Sequence, residues 1–214
     1  MIILAHRGYW KKLSERNTEE ALKKAFAKGY GIESDIRDYD GKLVISHDPA
    51  NKNCMPAEEL FKELAKYNNK LCFAINIKAD GLGEELSKLL KKNNITNYFC
   101  FDMSVPQMIY YYENNFNVFA RQSEYESEPL SLYKESQGVW IDAFYDDSWI
   151  TEELISKHIK NGKKISLVSP ELHSFPYLEF WKKLKSFDID YSKIILCTDV
   201  PDEANEFFNK EMTK

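Results

Sequence analysis

Short apolar runs alternate along this chain with longer segments in which apolar residues recur every three or four positions. The runs are Ile2–Leu4, Ile32–Ile36, Leu43–Ile45, Leu71–Ile77, Tyr98–Phe101, Asn117–Ala120, Gly138–Ile141, Lys164–Val168 and Lys193–Cys197. Their length and β-branched or aromatic content predict strands. Between them, Thr18–Ala27 places Ala21, Leu22, Ala25 and Phe26 at helical spacing behind a capping Thr18. Pro56–Tyr67 puts Leu60, Phe61 and Leu64 on one face, with Pro56 near the first turn. Further helices are predicted over Leu82–Lys92, Val105–Glu113, Thr151–Lys160, Tyr177–Phe187 and Asp202–Asn209. The pattern is weakest over Glu124–Gln137, where Leu130–Tyr133 reads as a short helix. Asp40-Gly41 is a hairpin signal, so Leu43–Ile45 is the partner or extension of the second strand.

Eight strand-then-helix units imply a parallel sheet and a (β/α)8 TIM barrel, and 214 residues make it a short variant. An open doubly wound sheet is the alternative, but no glycine-rich dinucleotide turn follows the first strand. One domain spanning 1–214 is the expected organisation.

The strand ends carry the chemistry. Glu33 and Asp35 are two apart on a strand, so both carboxylates project to one face and can share a cation. Hard oxygen ligands favour Mg2+ or Ca2+ over zinc. His6 and Arg7 follow the first strand, and His47 follows the strand after the hairpin. Lys78, Asp102, Arg121, Asp142, Glu171, His173 and Asp199 lie past later strands. A barrel gathers such ends on one face. Histidine takes or gives a proton near neutral pH. The planar fork of Arg7 suits a bidentate hold on phosphate, and its ordinary alternative is a salt bridge to Glu33 or Asp35. Glu171 and His173 are either head-group readers or plain loop residues.

These residues also sit in recognisable strings. Ala5-His6-Arg7-Gly8, Asn17-Thr18 ahead of the first helix, Glu33-x-Asp35, and Asp40-Gly41-x-x-Val44-x-x-His47-Asp48 together resemble the glycerophosphodiester phosphodiesterase family, within the superfamily of phosphatidylinositol-specific phospholipase C-like barrels. The match is specific over Ile2–Pro49. The resemblance implies that His6 and His47 act as general acid and base on a phosphodiester, in an order it leaves open. It implies a divalent cation at Glu33 and Asp35, and a phosphate-contacting lysine at Lys78. The chain departs from the family in four places. Asn76 replaces a glutamate ligand, which keeps an oxygen but loses a charge. Arg16 precedes Asn17 where the family has glutamate, with Glu15 one step back. Only Ala50–Met55 stands in place of a long insertion that shapes the glycerol pocket. Ser169-Pro170-Glu171-Leu172-His173 replaces a Trp-Thr-Val-Asn string.

Composition narrows the partners. A net charge of −5 and a pI near 5.5 argue against nucleic acid and anionic membranes, so phosphate affinity must be local. No apolar run approaches the ~20 residues of a membrane span, and integral membrane association is not expected. The first strand starts at Ile2, leaving no room for a signal peptide, and a cytoplasmic location is expected. Cys54, Cys72, Cys100 and Cys197 lack metal-site spacing and read as reduced thiols. The expected function is metal-dependent hydrolysis of a small-molecule, glycerophosphodiester-like phosphodiester. The alternatives are a lyase that releases a cyclic phosphate and a non-catalytic barrel that binds phosphate esters. Oligomeric state is open at this level.

Overall fold

A computed structural model describes residues 1–210 of the chain. They divide into two compact units, one of Leu4–Val118 and one of Met1–Ile3 with residues 119–210. In chain order, the Leu4–Val118 unit contains the part of β1 (Ile2–His6) from Leu4 on, then α1 (Glu19–Ala27), β2 (Gly31–Tyr39), β3 (Lys42–Ile45), β4 (Met55–Pro56), α2 (Ala57–Ala65), β5 (Phe73–Ile77), α3 (Gly83–Lys92), β6 (Tyr98–Phe101) and α4 (Val105–Glu113). Strands β1, β2, β5 and β6 pair side by side and parallel. Their register sets His6 beside Glu33, Asp35 beside Asn76, and Asn76 beside Phe101.

β2 is buried from Gly31 to Ile36, as expected of a parallel strand covered on both faces. Past Ile36 it pairs antiparallel with β3. Asp40 and Gly41 turn the chain with φ of 51° and 70°, the left-handed pair that a two-residue hairpin needs. Helix α1 starts at the Thr18 cap, whose hydroxyl accepts from the Ala21 N–H, and buries Ala21, Leu22, Ala25 and Phe26. Helix α2 buries Ala57, Leu60, Phe61 and Leu64, and the Phe61 ring meets Phe73 of β5 edge-on at 5.6 Å.

The other unit contains β7 (Phe119–Gln122), β8 (Gly138–Ile141), α5 (Glu152–Lys160), β9 (Lys164–Val168), α6 (Leu178–Lys185), β10 (Ile194–Thr198) and α7 (Pro201–Asn209). Its strands run parallel in the order β7, β8, β9, β10. Trp181 is buried at the centre of its aromatic packing, against Tyr177, Phe207 and Phe208, and its indole N–H donates to Ser169 Oγ at 2.9 Å.

One predicted element is absent. Leu130–Tyr133 is a turn, not a helix, because Leu132 has φ of 49° and a left-handed residue ends helical hydrogen bonding. Side chains hold this connection instead. Buried His158 of α5 hydrogen-bonds Gln122 Oε1 through Nε2 and the Tyr133 hydroxyl through Nδ1, both at 2.8 Å. An amide oxygen only accepts, so Nε2 donates and Nδ1 accepts from Tyr133. Burial pushes the His158 pKa down, which keeps this neutral tautomer in place. All four cysteines are free, and three are buried.

Candidate active site

The site grows from the turn after β1. Arg7 has φ of 55° and Gly8 has φ of 94°. Left-handed backbone is costly for arginine, and hydrogen bonds on both sides hold it there. The Arg7 N–H donates to Glu33 O, and the Arg7 carbonyl accepts from the Asn17 N–H, both at 2.9 Å. Behind the turn, a Cβ on Gly8 would lie 2.7 Å from the Ala21 carbonyl carbon, so only glycine lets the turn sit against α1.

His6 is buried, and its Nε2 lies 3.8 Å from Glu33 Oε2. Its carbonyl accepts from the Trp10 indole at 2.9 Å. Fully buried Asp35 is the hub. Its Oδ2 accepts from Asn17 Nδ2 at 2.9 Å and pairs with Arg7 Nε at 3.1 Å. Its Oδ1 lies 3.5 Å from Lys78 Nζ. Asn17 in turn accepts from Ser34 Oγ at 2.8 Å, which ties the Asn17 loop to β2. Lys78 Nζ also lies 3.7 Å from Asp102 Oδ2, and that oxygen accepts from Asn76 Nδ2 at 3.1 Å.

Three oxygens are left over. Glu33 Oε2, Asp35 Oδ1 and Asn76 Oδ1 are buried and have no hydrogen-bond partner. Buried acceptors without partners are costly and call for a ligand. The local charge agrees. Glu33, Asp35 and Asp102 face the cations Arg7 and Lys78. Burial and the neighbouring Asp35 charge push the Glu33 pKa up to about 8, against Arg7, Lys78 and the Asn76 amide. A hard divalent cation fits the oxygens and would favour the ionised form of Glu33. Among the described residues no group of three or more His, Cys, Asp or Glu side chains is arranged for a metal. The donor set here is two carboxylates and one amide.

His47 sits just past β3 with 45% of its side chain exposed, and its Nδ1 lies 2.9 Å from Asp48 Oδ1. The Arg37 Nε donates to the His47 carbonyl at 3.1 Å, and the Ser46 N–H donates to Asp35 O at 3.0 Å. His47 and Arg7 line one cleft of about 800 Å³, together with Arg16, Asn17 and Thr18. The structure therefore brings His6, Arg7, Glu33, Asp35, Asn76 and Lys78 into one linked cluster. It sets His47 on the wall of the cleft that Arg7 also lines.

Two members were not readable as such in the sequence. Asn17 stood only in a motif ahead of the helix, and Asp102 was one of many residues past a strand. The departures also have local explanations. The Glu15 carboxylate accepts from the N–H groups of Lys11 and Lys12, and the Arg16 guanidinium stacks 4.3 Å over Trp10. In the other unit, Glu171 is bound by Ser169 Oγ, Thr198 Oγ1 and the Asp199 N–H. His173 Nε2 lies 2.6 Å from Asp142 Oδ1. These bonds tie the 170–173 turn to the ends of its neighbours, His173 to Asp142 just past β8 and Glu171 to Thr198 and Asp199 at the end of β10.

No family model matches the chain, and no curated protein matches it by sequence. Solved structures do match. A glycerophosphodiester phosphodiesterase from Agrobacterium tumefaciens superposes with a TM-score of 0.65 at 17% identity, over 94% of this chain and 97% of its own. A phosphodiesterase from Oleispira antarctica, solved in complex with the product sn-glycerol-3-phosphate, gives 0.68 at 15% identity, over 98% and 97%. The chain has the fold of these phosphodiesterases. It is the (β/α)8 barrel class that the strand–helix alternation predicts. At such identities the likeness establishes the fold, and the chemistry rests on the side chains. No helix among the described residues is long and apolar enough to cross a membrane.

Proposed function

We propose that this protein is a metal-dependent phosphodiesterase acting on a small glycerophosphodiester-like substrate. The observation that carries the reading is the trio of buried oxygens on Glu33, Asp35 and Asn76 that accept no hydrogen bond, flanked by His6, Arg7 and Lys78. The fold shared with two phosphodiesterases, one holding a glycerol phosphate product, supports the same substrate class.

Glu33, Asp35 and Asn76 would hold Mg2+ or Ca2+. When bound, the cation supplies charge neutralisation at the non-bridging phosphate oxygens and so eases attack at phosphorus. Arg7 is anchored through Nε by Asp35, which leaves its terminal nitrogens for a forked grip on phosphate. Lys78, held between Asp35 and Asp102, adds a point charge. His6 and His47 exchange protons with the nucleophile and the leaving alkoxide. Where the substrate carries a hydroxyl beside the ester, that hydroxyl attacks and gives a cyclic phosphate; otherwise water attacks.

The test is turnover of bis-p-nitrophenyl phosphate and a panel of glycerophosphodiesters, with EDTA, Mg2+, Ca2+ or Mn2+. Cation-dependent turnover is expected, and His6→Ala and Glu33→Ala should each lower it by about 10²-fold or more. Absence of turnover with every cation, alongside calorimetric binding of phosphate esters, would replace the enzyme with a non-catalytic binding barrel.

A further inference from the structure

Asn76 is the weak member of the proposed cation set. An amide has one oxygen and carries no charge, so it serves as a ligand only if that oxygen is turned the right way. Something must fix the flip. Asp102 follows the last residue of β6, one position past Phe101, which is in register with Asn76. Its Oδ2 takes the hydrogen bond from Asn76 Nδ2 at 3.1 Å. A carboxylate only accepts, so the amide must show its nitrogen to Asp102. The amide oxygen is thereby turned away from Asp102 and is buried without a hydrogen-bond partner. Asp102 holds this position with φ of 65°, a left-handed conformation that aspartate tolerates better than most residues.

We propose that Asp102 is a positioning residue, which orients the Asn76 amide so that Oδ1 is presented as the third protein ligand of a divalent cation. This rests on the cation reading of Glu33, Asp35 and Asn76. The rival role for Asp102 is simple charge balance for Lys78, 3.7 Å away.

The experiment is calorimetric titration of the full chain with Mg2+, Ca2+ or Mn2+ alone, without substrate. Asp102→Gly removes the acceptor and suits the left-handed backbone, so it is the variant least apt to misfold. Asp102→Asn keeps an oxygen that accepts the same hydrogen bond and drops the charge. The positioning role predicts a 10–100-fold weaker cation affinity for Asp102→Gly. It predicts affinity within about threefold of wild type for Asp102→Asn. In an Asn76→Ala background, Asp102→Gly should add less than about twofold, since Asp102 acts through Asn76. Thermal melts of each variant establish that the fold is intact. The role is overturned if Asp102→Gly leaves affinity unchanged, if Asp102→Asn loses as much as Asp102→Gly, or if the loss persists in the Asn76→Ala background. A wild-type chain that binds none of the three cations overturns the cation reading and the Asp102 role together. Cation binding by wild type with any of the contrary variant results overturns the Asp102 role alone.

Discussion

Gly8 shows how a residue with no side chain controls a site built from charged ones. Its φ of 94° and the 2.7 Å approach to Ala21 leave no room for a methyl group. Arg7 precedes it on the same left-handed turn and is locked to Glu33 and Asn17 through the backbone. Gly8→Ala is therefore expected to cost about 1–3 kcal/mol, from strain and from the displaced α1 contact. Activity should fall by more than the loss of folded protein explains, since Arg7 moves with the turn. Parallel thermal melts and kinetics at a temperature where the variant is fully folded check this. Unchanged kinetics in the folded variant would show that the turn does not place Arg7. At this scale the sequence was legible wherever chemistry tracks local position. His6 and Arg7 lie just past a strand, and the two-residue spacing of Glu33 and Asp35 fixes a shared face. Asn17 and Asp102 were not legible, because their roles come from hydrogen bonds to residues 18 and 26 positions away.

Among the elements, boundaries followed local signals and failed where side chains from elsewhere decide. Thr18 caps its helix and Asp40-Gly41 turns the hairpin, as their positions suggest, while the caps at Ser104 and Thr151 emerge only in the structure. The connection from β7 to β8 has no periodic signal, and it is organised by His158, Gln122 and Tyr133 instead. The turn at 170–173 is similar, and it carries a pH dependence. The hydrogen bond to Asp142 raises the His173 pKa above its usual value, against the effect of partial burial. A raised folded-state pKa means that the folded protein holds the proton more tightly than the unfolded chain. The stabilisation is then fully present below about pH 6.5 and is lost as pH climbs through the folded value. The pair is expected to contribute about 1 kcal/mol, which for a chain of this size moves the melting temperature by about 2–4 °C. Wild type should lose that margin over His173→Gln between about pH 6 and pH 9. A difference that stays constant across the range would rule out titration of His173 as its source.

For the molecule as a whole, charge sets a constraint that the fold does not. The chain carries −5 overall, and its candidate site sets Arg7 and Lys78 among Glu33, Asp35 and Asp102. A phosphodiester anion approaching such a protein meets repulsion at long range, and attraction only from groups a few ångström away. Salt separates the two. Raising ionic strength from about 0.01 M to about 0.15 M shortens the Debye length from roughly 30 Å to roughly 8 Å. That screens the distant net charge and leaves contacts of 3–4 Å in a buried site nearly untouched. With Mg2+ held saturating, kcat/KM for an anionic diester should therefore stay flat or rise up to about twofold over this range. An enzyme that draws its substrate with a broad basic surface behaves oppositely and slows steeply with salt. A steep fall in this protein would mean that capture depends on a positive field that neither its composition nor its Arg7–Lys78 cluster provides. The substrate would then have to engage a surface other than the one built around Asp35.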